Sequence, residues 1–311
     1  MNTYDAAVIG GGPAGLTASI YLKRALFSVA MIEKMAEGGQ MNLTWMIENY
    51  PGFPEGISGV DLSMKFKEQA KNLGVEIISD EITSIHPEGN DFILKGYGGD
   101  MRAKGVIIAT GAVAKKLGIP GEAKFTGRGV SYCATCDAPF YKDGRVAVIG
   151  GGDTALEEAL YLSKFASRVY LIHRRHEFRG AKILQERVKA NEKIELLLGK
   201  VPVEIKGDKK ITAVSFKSTE GDEISEIALD GIFIFVGNSP ATEFIQADGL
   251  RPDSAPDGRL ICDASGATTI PGLFAAGDAV MKKLYQISTA VGDGANAAFG
   301  LQKYLEEIYH E

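Results

Sequence analysis

One pattern occurs twice in this chain and limits its fold more than any other feature. Ala7-Val8-Ile9-Gly10-Gly11-Gly12-Pro13-Ala14-Gly15 and Ala147-Val148-Ile149-Gly150-Gly151-Gly152-Asp153-Thr154-Ala155 each join an apolar run to glycines and then to a helical pattern that starts with small residues. Each continues to a second apolar strand, Ala30-Met31-Ile32-Glu33 or Tyr170-Leu171-Ile172-His173, ending 23 residues after the first glycine. Strand, tight turn, helix and strand within about 30 residues form the dinucleotide-binding unit. Gly10 and Gly150 allow the turn, and Gly12 and Gly152 let backbone approach a pyrophosphate. Gly15 and Ala155 keep the helix close to the strand. The helix starts, Pro13-Ala14 and Asp153-Thr154, present free N–H groups and a partial positive charge to phosphates. One such loop is a weak signal, and two structural turns without ligand remain the alternative. The shared strand–helix–strand context favours two nucleotide sites.

The copies differ where the ribose is read. Glu33 ends the first, and a carboxylate there accepts from ribose hydroxyls and repels a 2′-phosphate. The second ends in His173-Arg174-Arg175, with Arg179 four residues on. Arginines there suit a 2′-phosphate through charge-assisted bonds. The first site therefore fits an adenosine with a free ribose and the second fits NADP. A solvated helix start is the alternative for the basic run, and its position directly after the strand lifts the ligand reading above it.

Later landmarks extend the plan. Gly105-Val106-Ile107-Ile108-Ala109-Thr110-Gly111 and Asp230 to Gly237 read as strands closing the two copies. Gly272 to Asp278 reads as one more strand, whose terminal acid can hold a ribityl hydroxyl. From about Thr289 to Tyr309 the pattern is helical, with Leu301, Leu305 and Ile308 on one stripe. The expected fold is α/β, with two Rossmann-like three-layer domains, the second inserted in the first. Residues 1–113 and 246–311 form the first domain and residues 114–245 the second. Gly and Pro near Lys116–Gly121 and Gly237–Pro240 suit the connections.

Cys133-Ala134-Thr135-Cys136 is the chemical feature. Half of a zinc site needs two more ligands, yet Cys262 is single and His86, His173, His176 and His310 show no ligand spacing, so no metal is expected. A redox pair fits a chain with two dinucleotide sites: a nicotinamide gives hydride, a flavin relays the electron pair and the disulfide accepts it. Asp137 follows, placed either as the acid–base that serves a thiolate or as a turn-capping carboxylate. Nicotinamide and disulfide would compete for one flavin, so the inserted domain is expected to rotate about its linkers, and a lock across them to abolish turnover.

A net charge of −6 argues against nucleic acid or an anionic membrane as a general partner. No apolar run reaches the roughly 18 residues of a spanning helix. Met1 stands three residues before the first strand pattern, so no signal peptide is expected. The expected location is the cytoplasm.

Over essentially its full length the chain resembles the low-molecular-weight thioredoxin reductases. The likeness rests on Gly10 to Gly15, Gly38-Gly39-Gln40, Glu48-Asn49-Tyr50-Pro51-Gly52-Phe53, Ala109-Thr110-Gly111, Cys133 to Asp137, Gly150 to Asp153, His173-Arg174-Arg175 with Arg179, and Ala276-Gly277-Asp278. The resemblance implies FAD in the first domain, NADPH in the second, and a homodimer. It implies a thioredoxin-like or glutaredoxin-like small redox protein as electron acceptor. It places Gly39, Gln40, Asn49, Ala109, Thr110, Gly111, Gly277, Asp278, Gln286 and Ile287 around the flavin. It makes Cys136 the sulfur nearest the ring and Cys133 the one that attacks the substrate disulfide. One departure is visible: the family carries Arg-Gln-Ala where this chain has Tyr285-Gln286-Ile287. The aromatic ring can cover a flavin face or alter nicotinamide access, so a different donor or an NADH preference is one rival. Others are a nicotinamide–ferredoxin oxidoreductase, the flavoprotein arm of a peroxide-reducing system, and a flavin redox sensor of low turnover. Trp45 is expected in core or interface and Cys262 as a buried small hydrophobe.

Overall fold

The computed structural model describes residues 1–246 and 249–309. In chain order the first part runs β1 (Asn2–Ile9), α1 (Pro13–Arg24), β2 (Val29–Glu33), α2 (Gly59–Asn72), β3 (Glu76–Ser79), β4 (Ile82–Glu88), β5 (Asp91–Gly96), β6 (Met101–Ile108) and β7 (Ala112–Ala114). Next come α3 (Glu122–Phe125), β8 (Val130–Ser131), α4 (Ala134–Asp137), β9 (Arg145–Gly150), α5 (Asp153–Leu162), β10 (Arg168–His173), α6 (Lys182–Lys189) and β11 (Ile194–Leu198). The chain ends with β12 (Lys200–Gly207), β13 (Ile211–Ser218), β14 (Ile224–Ala228), β15 (Gly231–Phe235), β16 (Asn238–Pro240), β17 (Leu273–Ala275) and α7 (Ile287–Tyr309).

Two compact units result: residues 1–113 with 239–311, and residues 114–238. In the first, β3, β2, β1, β6 and β17 lie parallel, and β5 and β4 add an antiparallel edge. In the second, β11-β10-β9-β15-β8 is parallel throughout, beside the antiparallel β12-β13-β14. Parallel strands need both faces covered, and β1 and β9 show it. Ala6 and Val8 pack on the α1 side and Ala7 and Ile9 on the other; Val146 and Val148 pack on the α5 side and Ala147 and Ile149 on the other. Each fully buried aliphatic chain of this kind contributes about 1.5–3 kcal/mol.

Three expectations shift. The sequence places the return to the first domain at 246, but the second unit ends at Asn238. The reason is packing: Phe244 and Ile245 join the core of the first unit. The segment 116–121 reads as a hinge, yet Glu122, 3% exposed, accepts from the N–H groups of Leu117 (2.8 Å) and Gly118 (2.7 Å) and from the Tyr132 hydroxyl (2.7 Å). Burial alone would raise the Glu122 carboxyl, but these donors hold it below its ordinary value. The segment is therefore pinned within the second unit. On α7, Leu301 and Leu305 are buried, but Ile308 is 43% exposed in the last turn.

Candidate functional site

In the first unit the glycine loop follows β1. Gly10 has φ 108°, and a Cβ there would lie 2.3 Å from the Ala109 carbonyl oxygen, so the turn and the strand behind it require glycine. A Cβ at Gly15 would lie 1.8 Å from the Gly10 oxygen, which keeps α1 close to β1. Gly12, with no side-chain cap, faces open space. Pro13 stands at the helix start, where a missing N–H costs nothing. Ala14 sits behind it, against Gly277 and the α7 residue Gly294.

The Glu33 carboxylate accepts from the Gly11 N–H (2.7 Å) and the Met35 N–H (2.9 Å). A cleft beside it is lined by Lys34, Met35, Ser79, Asp80, Glu81 and Tyr97, none of which the motif spacing marks. The Gly38 N–H donates to the Gly11 oxygen (2.7 Å), bringing Gly39 within reach of Gly12. Gln40 Nε2 donates to Ala112 O (2.7 Å), just past Ala109-Thr110-Gly111. Asn49 Nδ2 donates to Gln286 Oε1 (3.0 Å), beside Ile287 at the start of α7. Asp278 follows β17; burial raises its carboxyl, although the Lys282 ammonium and the Arg259 guanidinium pull it down. The glycine loop, Gly39, Gln40, Ala109-Thr110-Gly111, Gly277 and Asp278 thus lie at the carboxyl ends of β1, β6 and β17, where open α/β sheets bind ligands, while Asn49 and Gln286 are held by each other. Tyr285 does not present a free ring there: Arg259 and Lys282 both lie over it.

The second unit repeats the loop. Gly152, again without a side-chain cap, faces open space before α5. The Gly151 oxygen accepts from the Arg179 N–H (2.8 Å), as Gly11 accepts from Gly38. Arg179 is thereby tied by its backbone to the glycine loop. Arg174, Arg175 and Arg179 are exposed, and all three act electrostatically on His173. His173 differs from its neighbours. It is 5% exposed, stacks on Phe178 at 5.6 Å, and covers Gly151. Burial first, then the three arginines, lower its pKa, so it stands as a neutral ring. Asp153 Oδ1 accepts from the Ala181 N–H (2.6 Å), which orders the loop holding Arg179, and Thr154 is exposed beside it.

Cys133 and Cys136 are joined as a disulfide, with Cα atoms 5.4 Å apart. Cys133 caps the short helix α4, and its Sγ accepts from the Cys136 N–H (3.1 Å). Ala134 and Ala138 seat this turn in the core formed with α5, leaving Cys133 half-buried, Cys136 exposed and Asp137 beside them. Cys262 is half-buried, and burial pushes its thiol up to about 11, with Asp293 and Asp263 adding to the rise. Among the described residues no three His, Cys, Asp or Glu side chains gather as metal ligands. His310 lies outside them. No described helix is long and apolar enough to cross a membrane. Trp45 is 43% exposed and therefore not core within this chain.

The family model of pyridine nucleotide-disulphide oxidoreductases matches residues 4–294. The chain belongs to that family. It is 43% identical over 316 residues to a thioredoxin reductase of Peptoclostridium litorale, covering 100% of this chain and 99% of the relative. A thioredoxin reductase structure from Lactococcus lactis superposes with TM-score 0.95 at 45% identity, covering 98% of this chain and 100% of the other. One from T. acidophilum gives TM-score 0.93 at 34% identity, covering 99% and 100%. The two Rossmann-like units are those of this oxidoreductase family, and the disulfide lies in its second unit.

Proposed function

We propose that the chain is an NADPH-dependent thioredoxin-disulfide reductase, with FAD held by the first unit and NADPH by the second. The observation that carries the reading is the Cys133–Cys136 disulfide in a chain with two dinucleotide-binding loops. Relatives spanning the whole chain are named thioredoxin reductases, which supports it.

The residues present fit both nucleotides. Gly12 and Gly152 leave open cradles before uncapped helix starts, suited to pyrophosphates. Thr110 Oγ1 and His173 Nε2 are buried without a hydrogen-bond partner among the described residues, one near each cradle. Buried polar atoms are rarely left so unless a ligand or water completes them. Glu33 suits the ribose of FAD, Asp278, Gln286 and Asn49 its flavin end, and Arg174, Arg175 and Arg179 the 2′-phosphate of NADPH.

When bound, the two cofactors supply a hydride and deliver its electron pair to the disulfide. Two electrons and two protons open the Cys133–Cys136 bond. The Cys133 thiolate attacks one sulfur of the thioredoxin disulfide, forming a mixed disulfide and releasing the other sulfur as a thiolate. The Cys136 thiolate then attacks Cys133 Sγ, which re-forms the bond seen here and frees the acceptor as a dithiol. Asp137 gives and takes the protons that these thiolates exchange. The cytoplasm as location and the homodimer as assembly belong to the same proposal.

The test is a pair of variants, Cys133→Ser and Cys136→Ser. Each is expected to lose NADPH-dependent thioredoxin reduction to background while NADPH still bleaches the flavin. Retained thioredoxin turnover in both would contradict the assigned pair.

A further inference from the structure

The Tyr285 ring has two cations over it. The Arg259 guanidinium carbon lies 4.6 Å from the ring centroid and Lys282 Nζ lies 5.5 Å from it. The Lys282 backbone N–H donates to the Tyr285 hydroxyl (3.2 Å). Arg259 is 26 residues away in sequence but is delivered by backbone pairing. The Leu260 N–H donates to Ala279 O and the Met281 N–H to Leu260 O, both at 2.9 Å. That ties the segment bearing Arg259 to the turn bearing Asp278. Arg259 is 9% exposed and also pairs with Asp257. Lys282 bridges Asp293 at 2.6 Å and Asp278 at 3.6 Å. Such stacking on an aromatic face holds a guanidinium in place, and low exposure limits screening by water and salt.

We propose that Arg259 is a positioning residue of the flavin site, held by stacking on Tyr285 so that its charge, with that of Lys282, is fixed beside Asp278. The inference rests on the flavin reading above. Its consequence is electrostatic. Two-electron reduction leaves a flavin more negative; because Arg259 balances Asp257, and Lys282 balances Asp293 and Asp278, losing the Arg259 charge leaves a carboxylate uncompensated and disfavours the reduced form. Tyr285 then acts through the cations and not by covering a flavin face.

The test is an anaerobic equilibrium titration of the holoenzyme against a dye of known potential. It compares wild type with Arg259→Gln, Tyr285→Leu, Tyr285→Phe and the exchange variant Arg259→Tyr/Tyr285→Arg. Arg259→Gln and Tyr285→Leu should each lower the equilibrium constant for flavin reduction roughly tenfold, about 30 mV for two electrons. Tyr285→Phe, which keeps the ring, should stay near wild type. The exchange variant, which keeps both the ring and the guanidinium but swaps their positions, should recover most of the loss. A purely structural clamp would change thermal stability and leave the potential unmoved. Unchanged potential in flavin-replete Arg259→Gln, or an exchange variant no better than Tyr285→Leu, overturns the inference. If Arg259→Gln does not fold, Tyr285→Leu and the exchange variant carry the same decision. A wild-type chain that neither carries nor takes up FAD overturns the flavin reading itself, and this inference with it.

Discussion

Glu33 and His173 close equivalent strands in two copies of one fold, and they do opposite things. Glu33 keeps a carboxylate at the loop, held by the Gly11 and Met35 N–H groups. His173 turns inward over Gly151 with its pKa lowered by burial, while Arg174, Arg175 and Arg179 around it stay exposed, free for the 2′-phosphate of the proposed NADPH. The basic run and its place directly after β10 were legible in the sequence. The burial of His173 was not, because it depends on Phe178 folding back over the ring. The same holds for Arg259 and Lys282, which no local pattern connects to Tyr285. Arg179, tied by its backbone to Gly151, carries the sharpest prediction at this scale. A charge-assisted hydrogen bond contributes about 1.5–3 kcal/mol. Arg179→Ala should therefore raise KM for NADPH roughly 10–100-fold, leave kcat nearly unchanged, and hardly affect NADH, as steady-state kinetics with both nucleotides would check.

Helices α1 and α5 start from the same kind of loop, so glycine replacements separate folding from binding. Gly12 has φ −75°, and a methyl added there would meet no neighbour within 4 Å, so Gly12→Ala should fold normally. That methyl would occupy the cradle, however, and the variant should purify with much less flavin. Equal flavin content in Gly12→Ala and wild type would show that no pyrophosphate lies there. Helix α5 holds a second consequence. Glu158, 5% exposed, has an Oε2 with no hydrogen-bond partner among the described residues, and burial, then Glu157, raises its carboxyl to about 8. A carboxyl raised in the folded state retains a proton that the unfolded chain loses above about pH 4.3. Its contribution is thus fully present at acid pH and is lost as pH rises toward 8. Glu158→Gln should match wild type near pH 4 or below and exceed it at pH 8 by at least one pKa unit's equivalent, about 1.4 kcal/mol, in denaturant unfolding. Element type was readable from periodicity, since β1 and β9 are buried on both faces and α7 has a clear stripe. Ends were less so: α7 starts at Ile287, where the Gln286 N–H donates to the Thr289 hydroxyl, a contact outside the apolar pattern.

For the whole molecule, the duplicated loop announced two nucleotide-binding units, and the return from the second was the poorly marked point. Phe244 and Ile245 settle it by packing, which composition around Gly237–Pro240 does not reveal. Glu122 pins 116–121, and the two connections pair as β7 and β16, with the Lys115 N–H donating to the Gly237 oxygen (2.9 Å) and the Ala241 N–H to the Gly111 oxygen (3.0 Å). The proposed route, from NADPH through FAD to Cys133–Cys136, requires the second unit to serve both hydride transfer and dithiol exchange, and motion about those connections would let it do so. The route's first step is also its most direct test. The purified protein is mixed anaerobically with one equivalent of NADPH, and separately NADH, and flavin absorbance is followed by stopped flow. The account predicts rapid bleaching by NADPH and much slower bleaching by NADH. Bleaching by neither would contradict it, returning the arginines to an ordinary solvated surface and pointing to a different electron donor.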